Sequence, residues 1–203
     1  KTSNQNEISN LTTISGRQGQ RVPELIGQYR QQMPYSLNQE LRMYYTYNES
    51  QIFSIELQHL TQKEDPFYRA IKQFQPFGGI IKLNTDQERF NINQDRVTKT
   101  DKLESKLDYF YILSPKANLN LTIGFTDVKQ DFNSSIFQIL DNNSQQNFSD
   151  KNLNNDVSFR FQDIYAALHY RFIQGIFTFD PGITIHSYST ETNQFSGLTK
   201  NSF

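Results

Sequence analysis

The chain has 203 residues, a formal net charge of −1 and no cysteine. A nearly neutral chain has no general electrostatic attraction to nucleic acid, so no nucleic-acid partner is expected. Without cysteine, the protein has neither a disulfide framework nor thiolate chemistry. The hydrophobic fraction is only 35%, yet the chain contains 17 Phe and 11 Tyr. This composition differs from that of disordered chains, which are poor in aromatic residues.

The first predicted elements form a hairpin. Residues 1–37 are polar and have no clear period, which predicts a loop or a weak strand region. From residue 38 onward, "ELRMYYTY" (40–47) and "QIFSIELQHL" (51–60) alternate apolar and polar residues with period two. Asn48-Glu49-Ser50 lies between them, and these residues favour turns, so the two segments are predicted to pair.

A long polar stretch follows at about 62–88 and is predicted to be a loop. A weak strand is predicted in "ERFNINQDRV" (88–97), and two stronger ones in "KLDYFYIL" (106–113) and "NLNLTIGFTDV" (118–128). The polar segment at about 130–156 predicts a second long loop.

The last predicted hairpin joins "DIYAALHYRF" (163–172) to a strand at 177–186 through Gln174-Gly175. Pro181 interrupts the second strand. Because proline lacks the N–H that a paired strand uses, we expect either a bulge at this position or an edge strand.

Short turns near residues 49, 115 and 174 therefore alternate with long polar loops, and the predicted strands are longer than the usual five or six residues. Transmembrane barrels show this layout. The expected fold is all-β: an antiparallel up-and-down transmembrane β-barrel segment over residues 38–203, incomplete, with about seven or eight strands. A soluble sandwich could show the same alternation, since its outer face is also polar.

In the barrel interpretation, the two faces of each strand have different environments. The polar candidates for the lumen are Arg42, Glu56, Lys106, Asp108 and Arg171. The apolar candidates for the lipid face are Leu119, Leu121, Ile123, Phe125, Ile164, Leu168, Tyr170 and Phe179. Aromatic residues beside the short turns predict an interfacial girdle, formed by Tyr47, Phe53, Tyr111, Phe172 and Phe177.

Three segments carry a resemblance to a known family: "QHLTQKEDPFYRAI" (58–71), "KLDYFYILSPKANLNLTIGF" (106–125) and "DIYAALHYRFIQGIFTFDPGI" (163–183), together with "LTKNSF" (198–203). They resemble the barrel region of TonB-dependent outer-membrane receptors of Gram-negative bacteria. The resemblance covers about residues 38–203 and implies a piece from the middle of a larger barrel, located in the outer membrane.

For such a parent protein, the resemblance implies uptake of an unknown ligand. The implied partners are the lipid bilayer and a TonB-type energy-coupling protein, which would act through an N-terminal part that this chain lacks. The alternatives are a soluble or secreted all-β binding module and an outer-membrane barrel that only anchors or adheres.

No group of residues predicts catalysis. Gly78-Gly79 lacks the Lys-Ser/Thr of a phosphate-binding loop, and no G-x-S-x-G sequence is present. His59, His169 and His186 are far apart in sequence and have no clustered co-ligands, so no metal site is predicted. We expect no enzyme activity and no cofactor.

Overall fold

The computed structural model describes residues 5–15, 22–76, 81–148, 153–194 and 197–202. These residues form an all-β fold. In chain order the strands are β1 (Gln5–Ser15), β2 (Val22–Gln32), β3 (Tyr35–Asn48), β4 (Gln51–Glu64), β5 (Phe67–Lys72), β6 (Phe90–Ser114), β7 (Ala117–Ile139), β8 (Gln145–Asn147), β9 (Asn155–Gln174), β10 (Phe177–Phe179), β11 (Gly182–Gln194) and β12 (Gly197–Ser202). No helix among the described residues is long and apolar enough to cross a membrane.

The twelve described strands belong to one antiparallel sheet with the lateral order β1-β2-β5-β6-β7-β9-β11-β12. In addition, β3 pairs with β4, β4 with β6, β8 with β7, and β10 with β9. The order begins at β1 and ends at β12, so the described strands do not close into a barrel. The expected all-β antiparallel fold, an incomplete barrel segment, is confirmed. The described strands number twelve, where about seven or eight were expected over residues 38–203, and β1 and β2 lie before that region.

The chain folds into two compact units. The first unit comprises the described residues of Lys1–Ser36, Lys63–Lys99 and Asp131–Val157. Here β1 pairs with β2 from Gln5 opposite Gln32, and β5 pairs with both β2 and β6. Residues 5–15 and 22–32 are thus paired strands, where the sequence predicted a loop or a weak strand.

The first unit has a conventional apolar core. Its buried members share one cluster, formed by Ile81, Leu83, Phe90, Ile92 and Phe148, against which Ile136 and Leu153 pack. Ile81 and Leu83 lie in the loop between β5 and β6, so this loop covers part of the sheet. Gln138 on β7 holds the loop in place: its Nε2 donates to the carbonyl of Asn84 at 3.0 Å, and the Asn84 N–H donates to its Oε1 at 2.9 Å.

The second unit comprises the described residues of Leu37–Gln62, Thr100–Gln130 and Ser158–Phe203. It contains the three short turns that the sequence predicted near residues 49, 115 and 174. The Asn48 carboxamide accepts a hydrogen bond from the Ser50 N–H at 2.9 Å, and the Ser114 hydroxyl accepts one from the Lys116 N–H at 3.3 Å. These side chains stabilise their turns locally, as Asn and Ser commonly do.

The third turn consists of Gly175 and Ile176, one residue later than predicted, because Gln174 pairs with Phe177. Gly175 has φ of +64°, and Ile176 is not among the described residues with positive φ. A positive φ at the first central residue alone is typical of a type II′ hairpin turn, which favours glycine there.

Several predicted loops are wrong, because strands continue through them. In the polar stretch at 62–88, β4 reaches Glu64 and β5 forms, while the strands predicted at 88–97 and 106–113 are parts of β6. In the segment at 130–156, β7 continues to Ile139, β8 forms, and β9 begins at Asn155. Backbone hydrogen bonds pair strands whatever the side chains are, so polar extensions with no clear alternation were not recognisable from the sequence.

Pro181 separates β10 from β11. Its carbonyl accepts a hydrogen bond from the Tyr170 N–H at 2.9 Å, although its own nitrogen has no hydrogen to donate. The strand after the proline, β11, has two neighbours, β9 and β12. The expected edge position is therefore not observed. Phe179 pairs with Phe172 and Tyr170 bonds to Pro181 in the same register, so the strand is interrupted at Pro181 without an inserted bulge residue.

Candidate functional site

In the described part of the second unit, many large apolar side chains are exposed. Nearly all large hydrophobic side chains that the described structure exposes belong to it, and only Ile8, Met33, Tyr35 and Phe74 belong to the first unit. Ala167 is the one buried hydrophobic residue described in the second unit. The first unit buries its apolar residues as soluble proteins do, whereas the second unit exposes them.

The same unit buries polar side chains. Ser54, Asp108 and Thr122 are 3%, 4% and 6% exposed, respectively. We call the side of the second unit that carries them the polar face, and the opposite side the apolar face. Adjacent residues of a strand point to opposite faces, and residues two apart point to the same face. Glu56, Lys106 and Gly124 therefore share the polar face with Ser54, Asp108 and Thr122.

The predicted lumen residues on β6 form a charge pair on the polar face. Lys106 Nζ lies 2.8 Å from Asp108 Oδ2, and the Thr122 hydroxyl on β7 donates to Asp108 Oδ1 at 2.5 Å. Lys102 and Glu104, which precede this pair on β6, form a similar pair at 2.9 Å. Oppositely charged residues at every second position of β6 thus form ion pairs along the strand.

Two open pockets on the polar face bring the predicted lumen residues together. A pocket of about 230 Å³ is lined by Arg42, Glu56 and Lys106. A second pocket of about 300 Å³ is lined by Lys106, Asp108 and Arg171. All five candidates therefore line one pocket or the other, although their location in a lumen stays a prediction.

Of the eight lipid-face candidates, six are exposed: Leu121, Ile123, Ile164, Leu168, Tyr170 and Phe179, with exposed fractions from 38% to 57%. Leu119 and Phe125 are only half-buried. Phe125 also lines the pocket of Arg42 and Glu56, which its alternation in the sequence did not indicate.

The aromatic residues near the short turns form two clusters. Phe53 contacts Tyr109 with ring centroids 4.9 Å apart, and Tyr45 and Tyr111 extend this cluster. In the other, Phe172 stacks on Phe179 at 5.0 Å, and Tyr170 and Phe177 adjoin them. Three of the predicted girdle residues, Phe53, Tyr111 and Phe172, are only half-buried, while Tyr47 and Phe177 are well exposed.

On the apolar face, the apolar side chains form rows along the strands, and charged residues lie beyond the ends of these rows. The row on β9 runs from Ile164 to Phe172, about 27 Å at ~3.4 Å per residue. Beyond these rows, Arg160 donates two hydrogen bonds of 2.9 Å to the carboxylate of Asp127. These bonds hold the pKa of the Asp127 carboxyl below its usual value, because they stabilise its charged form.

Two glycines that were not recognisable as important from the sequence determine how aromatic rings lie on the polar face. A Cβ on Gly124 would lie 2.1 Å from the Tyr165 ring, and a Cβ on Gly182 would lie 2.5 Å from the His169 ring. Each ring therefore occupies space that only glycine leaves open. Strand glycines often mark such close approaches, but the sequence does not reveal the partner.

The three histidines do not form a common site. His186 Nδ1 lies 3.1 Å from both carboxylate oxygens of Asp163, and its ring stacks between Tyr165 and Tyr188, each at 5.2 Å. His169 lies 3.7 Å from Asp180. Across the described ranges, no three His, Asp or Glu side chains lie close enough together to hold a metal ion.

In comparisons with known proteins, the chain matches no protein-family model and no curated protein. The resemblance to outer-membrane receptors therefore rests on the residues of this sequence alone.

Proposed function

We propose that this chain is a segment of an outer-membrane β-barrel and that its second unit crosses the lipid bilayer. The observation that carries this proposal is the inverted distribution of side chains in the described part of this unit. Polar groups such as Asp108 and Thr122 are buried, while Ile123, Ile164 and Ile185 are 49% to 68% exposed. In water, exposing so many apolar side chains on one face is unfavourable, whereas in lipid the same face is solvated.

The dimensions of the apolar face support a membrane location. Outer-membrane barrels carry an apolar band about 25 Å tall with aromatic girdles at its edges. The row from Ile164 to Phe172 is about 27 Å long along the strand, and at the usual tilt of 35–45° it covers roughly 20 Å of that height. Aromatic clusters lie at its turn side, and the pair of Arg160 and Asp127 lies beyond its other end.

Within this proposal, the short turns lie on the periplasmic side and the polar face lines a water-filled lumen. The parent protein is a TonB-dependent receptor that takes up a ligand, as the resemblance of residues 38–203 implies. Lumen charges such as Lys106 and Arg171 would contact water and passing solutes. The polar extensions of β6, β7 and β9 beyond the apolar rows would stand outside the bilayer, where both faces of a strand meet water.

The test is whether the purified chain needs an amphiphile to fold. The chain is refolded by dilution from urea into buffer, into detergent micelles and into phosphatidylcholine vesicles. We expect sheet structure and vesicle co-flotation only with detergent or lipid. A soluble, monomeric, folded chain in plain buffer would contradict the proposal and favour the soluble β-module.

Transport is tested separately, in the parent protein, by ligand uptake with and without the inner-membrane proton gradient. Uptake that requires the gradient supports a TonB-dependent receptor. A membrane-inserted parent with no such uptake would instead support the anchoring barrel.

A further inference from the structure

The pocket of about 300 Å³ on the polar face has one wall whose groups are already paired. Lys106 is bound to Asp108, and Asp108 also accepts the hydrogen bond from Thr122. A buried carboxylate that is paired and hydrogen-bonded, as that of Asp108 is, has little need of a further partner. This wall therefore shapes the pocket and leaves its chemistry to the other lining residues.

Three other lining residues of this pocket lack such partners. Asn118, Asn120 and Arg171 line the pocket, and within the described residues their side chains make no hydrogen bond or ion pair. Asn120 Oδ1 is shielded from solvent as well, and it has no hydrogen-bond partner. An unmade hydrogen bond of a buried polar group typically costs about 1–3 kcal/mol, so a bound molecule that turns this carboxamide toward itself would recover that energy.

The same pocket is lined by two opposite charges, Arg171 and Asp180, that do not form an ion pair. Arg171 is a cation without an ionic partner in the described structure, and the carboxylate of Asp180 is 58% exposed, with only His169 near it, at 3.7 Å. No contact within 4.0 Å joins the Arg171 guanidinium to Asp180, although both line the pocket. A guanidinium binds carboxylates through two parallel hydrogen bonds, and a carboxylate binds ammonium groups.

We propose that this pocket binds a small zwitterion of the α-amino acid class. Its carboxylate binds Arg171, its ammonium group binds Asp180, and the carboxamides of Asn118 and Asn120 hydrogen-bond between them. A ligand with both charges leaves no charge in the pocket unpaired, whereas an anion or a cation alone leaves Asp180 or Arg171 without a partner. This inference deepens the proposed function, because it gives the polar face a ligand class.

The test is a binding titration of the full chain, folded in detergent micelles and isotope-labelled, followed by NMR. The probes are glycine, acetate and methylammonium at constant ionic strength and pH 7, observed at the side-chain N–H signals of Arg171, Asn118 and Asn120. We expect saturable shifts with glycine, and a Kd at least tenfold lower than with acetate or methylammonium.

The variants Arg171→Gln and Asp180→Asn should each raise the Kd for glycine at least tenfold, and Arg171→Lys should have an intermediate effect, because lysine keeps the charge without the planar fork. The control is Arg160→Gln, an arginine of the apolar face, which should bind glycine like the original chain. An unchanged backbone spectrum away from the pocket shows that each variant is folded.

Equal affinity for acetate and glycine, shifts that stay linear with concentration, or an Arg171→Gln variant that binds normally would each overturn the inference. Because binding is measured without a membrane, it can fail while insertion into lipid succeeds, and the reverse is also possible. The two proposals are thus tested independently.

Discussion

The Thr122 hydroxyl donates a hydrogen bond of 2.5 Å to Asp108, and both side chains are almost fully buried on the polar face of the second unit. A hydrogen bond to a charged acceptor contributes more than a neutral one, about 1.5–3 kcal/mol. Thr122→Val should therefore lower the free energy of unfolding by about 1.5–3 kcal/mol, measured by urea titration with far-UV circular dichroism.

Thr126→Val on the same strand is the control, because no hydrogen bond of the Thr126 hydroxyl is described, and its effect should stay below about 0.5 kcal/mol. Equal effects at both positions would show that the bond to Asp108 adds nothing.

Thr184 and Ile185 are adjacent on β11, and both are exposed. In vesicles, Ile185→Arg should cost about 2–4 kcal/mol of folding free energy, because it places a charge in the apolar band. Thr184→Arg, on the polar face, should cost less than about 1 kcal/mol. The measurement is reversible unfolding in vesicles by guanidinium titration. If the two variants are tolerated equally well, the assignment of faces is wrong.

Gly175 has a positive φ at the first central position of the type II′ turn. Alanine in such a conformation costs roughly 1–2 kcal/mol or more, so Gly175→Ala should destabilise the protein by about that amount. Gly175→Asn should cost less, since asparagine tolerates positive φ better. Ile176→Ala, at the neighbouring turn position, tests whether any change in the turn is harmful. A neutral Gly175→Ala would mean that the turn adopts another conformation.

Gly124 allows the Tyr165 ring to lie against the β7 backbone. Gly124→Ala places a methyl group 2.1 Å from that ring, so the ring must move and its stacking on His186 is lost. We expect a cost of about 1–3 kcal/mol, as for other overpacked sites, and a changed tyrosine signal in near-UV circular dichroism. Gly27→Ala is the control, because its Cβ would meet only Asn10, at an ordinary 3.9 Å. Similar effects of the two alanines would reflect strand propensity alone.

Asp127 and Arg160 form a bidentate ion pair, and the pKa of the Asp127 carboxyl is lowered by the hydrogen bonds from Arg160. A carboxyl whose pKa is lower in the folded state stabilises the fold above its ordinary pKa, and this contribution is lost as the pH falls through the lowered value. Asp127→Asn should therefore cost at most about 1 kcal/mol at pH 7, the usual range for exposed pairs. The difference from the original chain should disappear once the pH is below the lowered pKa of Asp127. A difference that is constant with pH would exclude an ionic origin.

How much could be read from the sequence depends on the region. Near the short turns, period-two alternation and turn residues such as Asn48 and Gly175 located the hairpins, because each strand there has one apolar and one polar face. The charged partners Lys106 and Asp108 were also recognisable as sharing a face. Alternation could not show that Thr122 would bind Asp108, because it does not give the register between strands.

The sequence by itself therefore determined the hairpin strands beside the three short turns of the second unit and the polarity of their two faces. Only the tertiary structure decided the length of β6, β7 and β9, because backbone pairing extends through polar residues that carry no periodic signal. It also decided that Ile81 and Leu83, in the loop between β5 and β6, join the core of the first unit, and that Gln138 holds this loop in place through Asn84. Such contacts join residues more than fifty positions apart, so chain packing selects them and local sequence cannot.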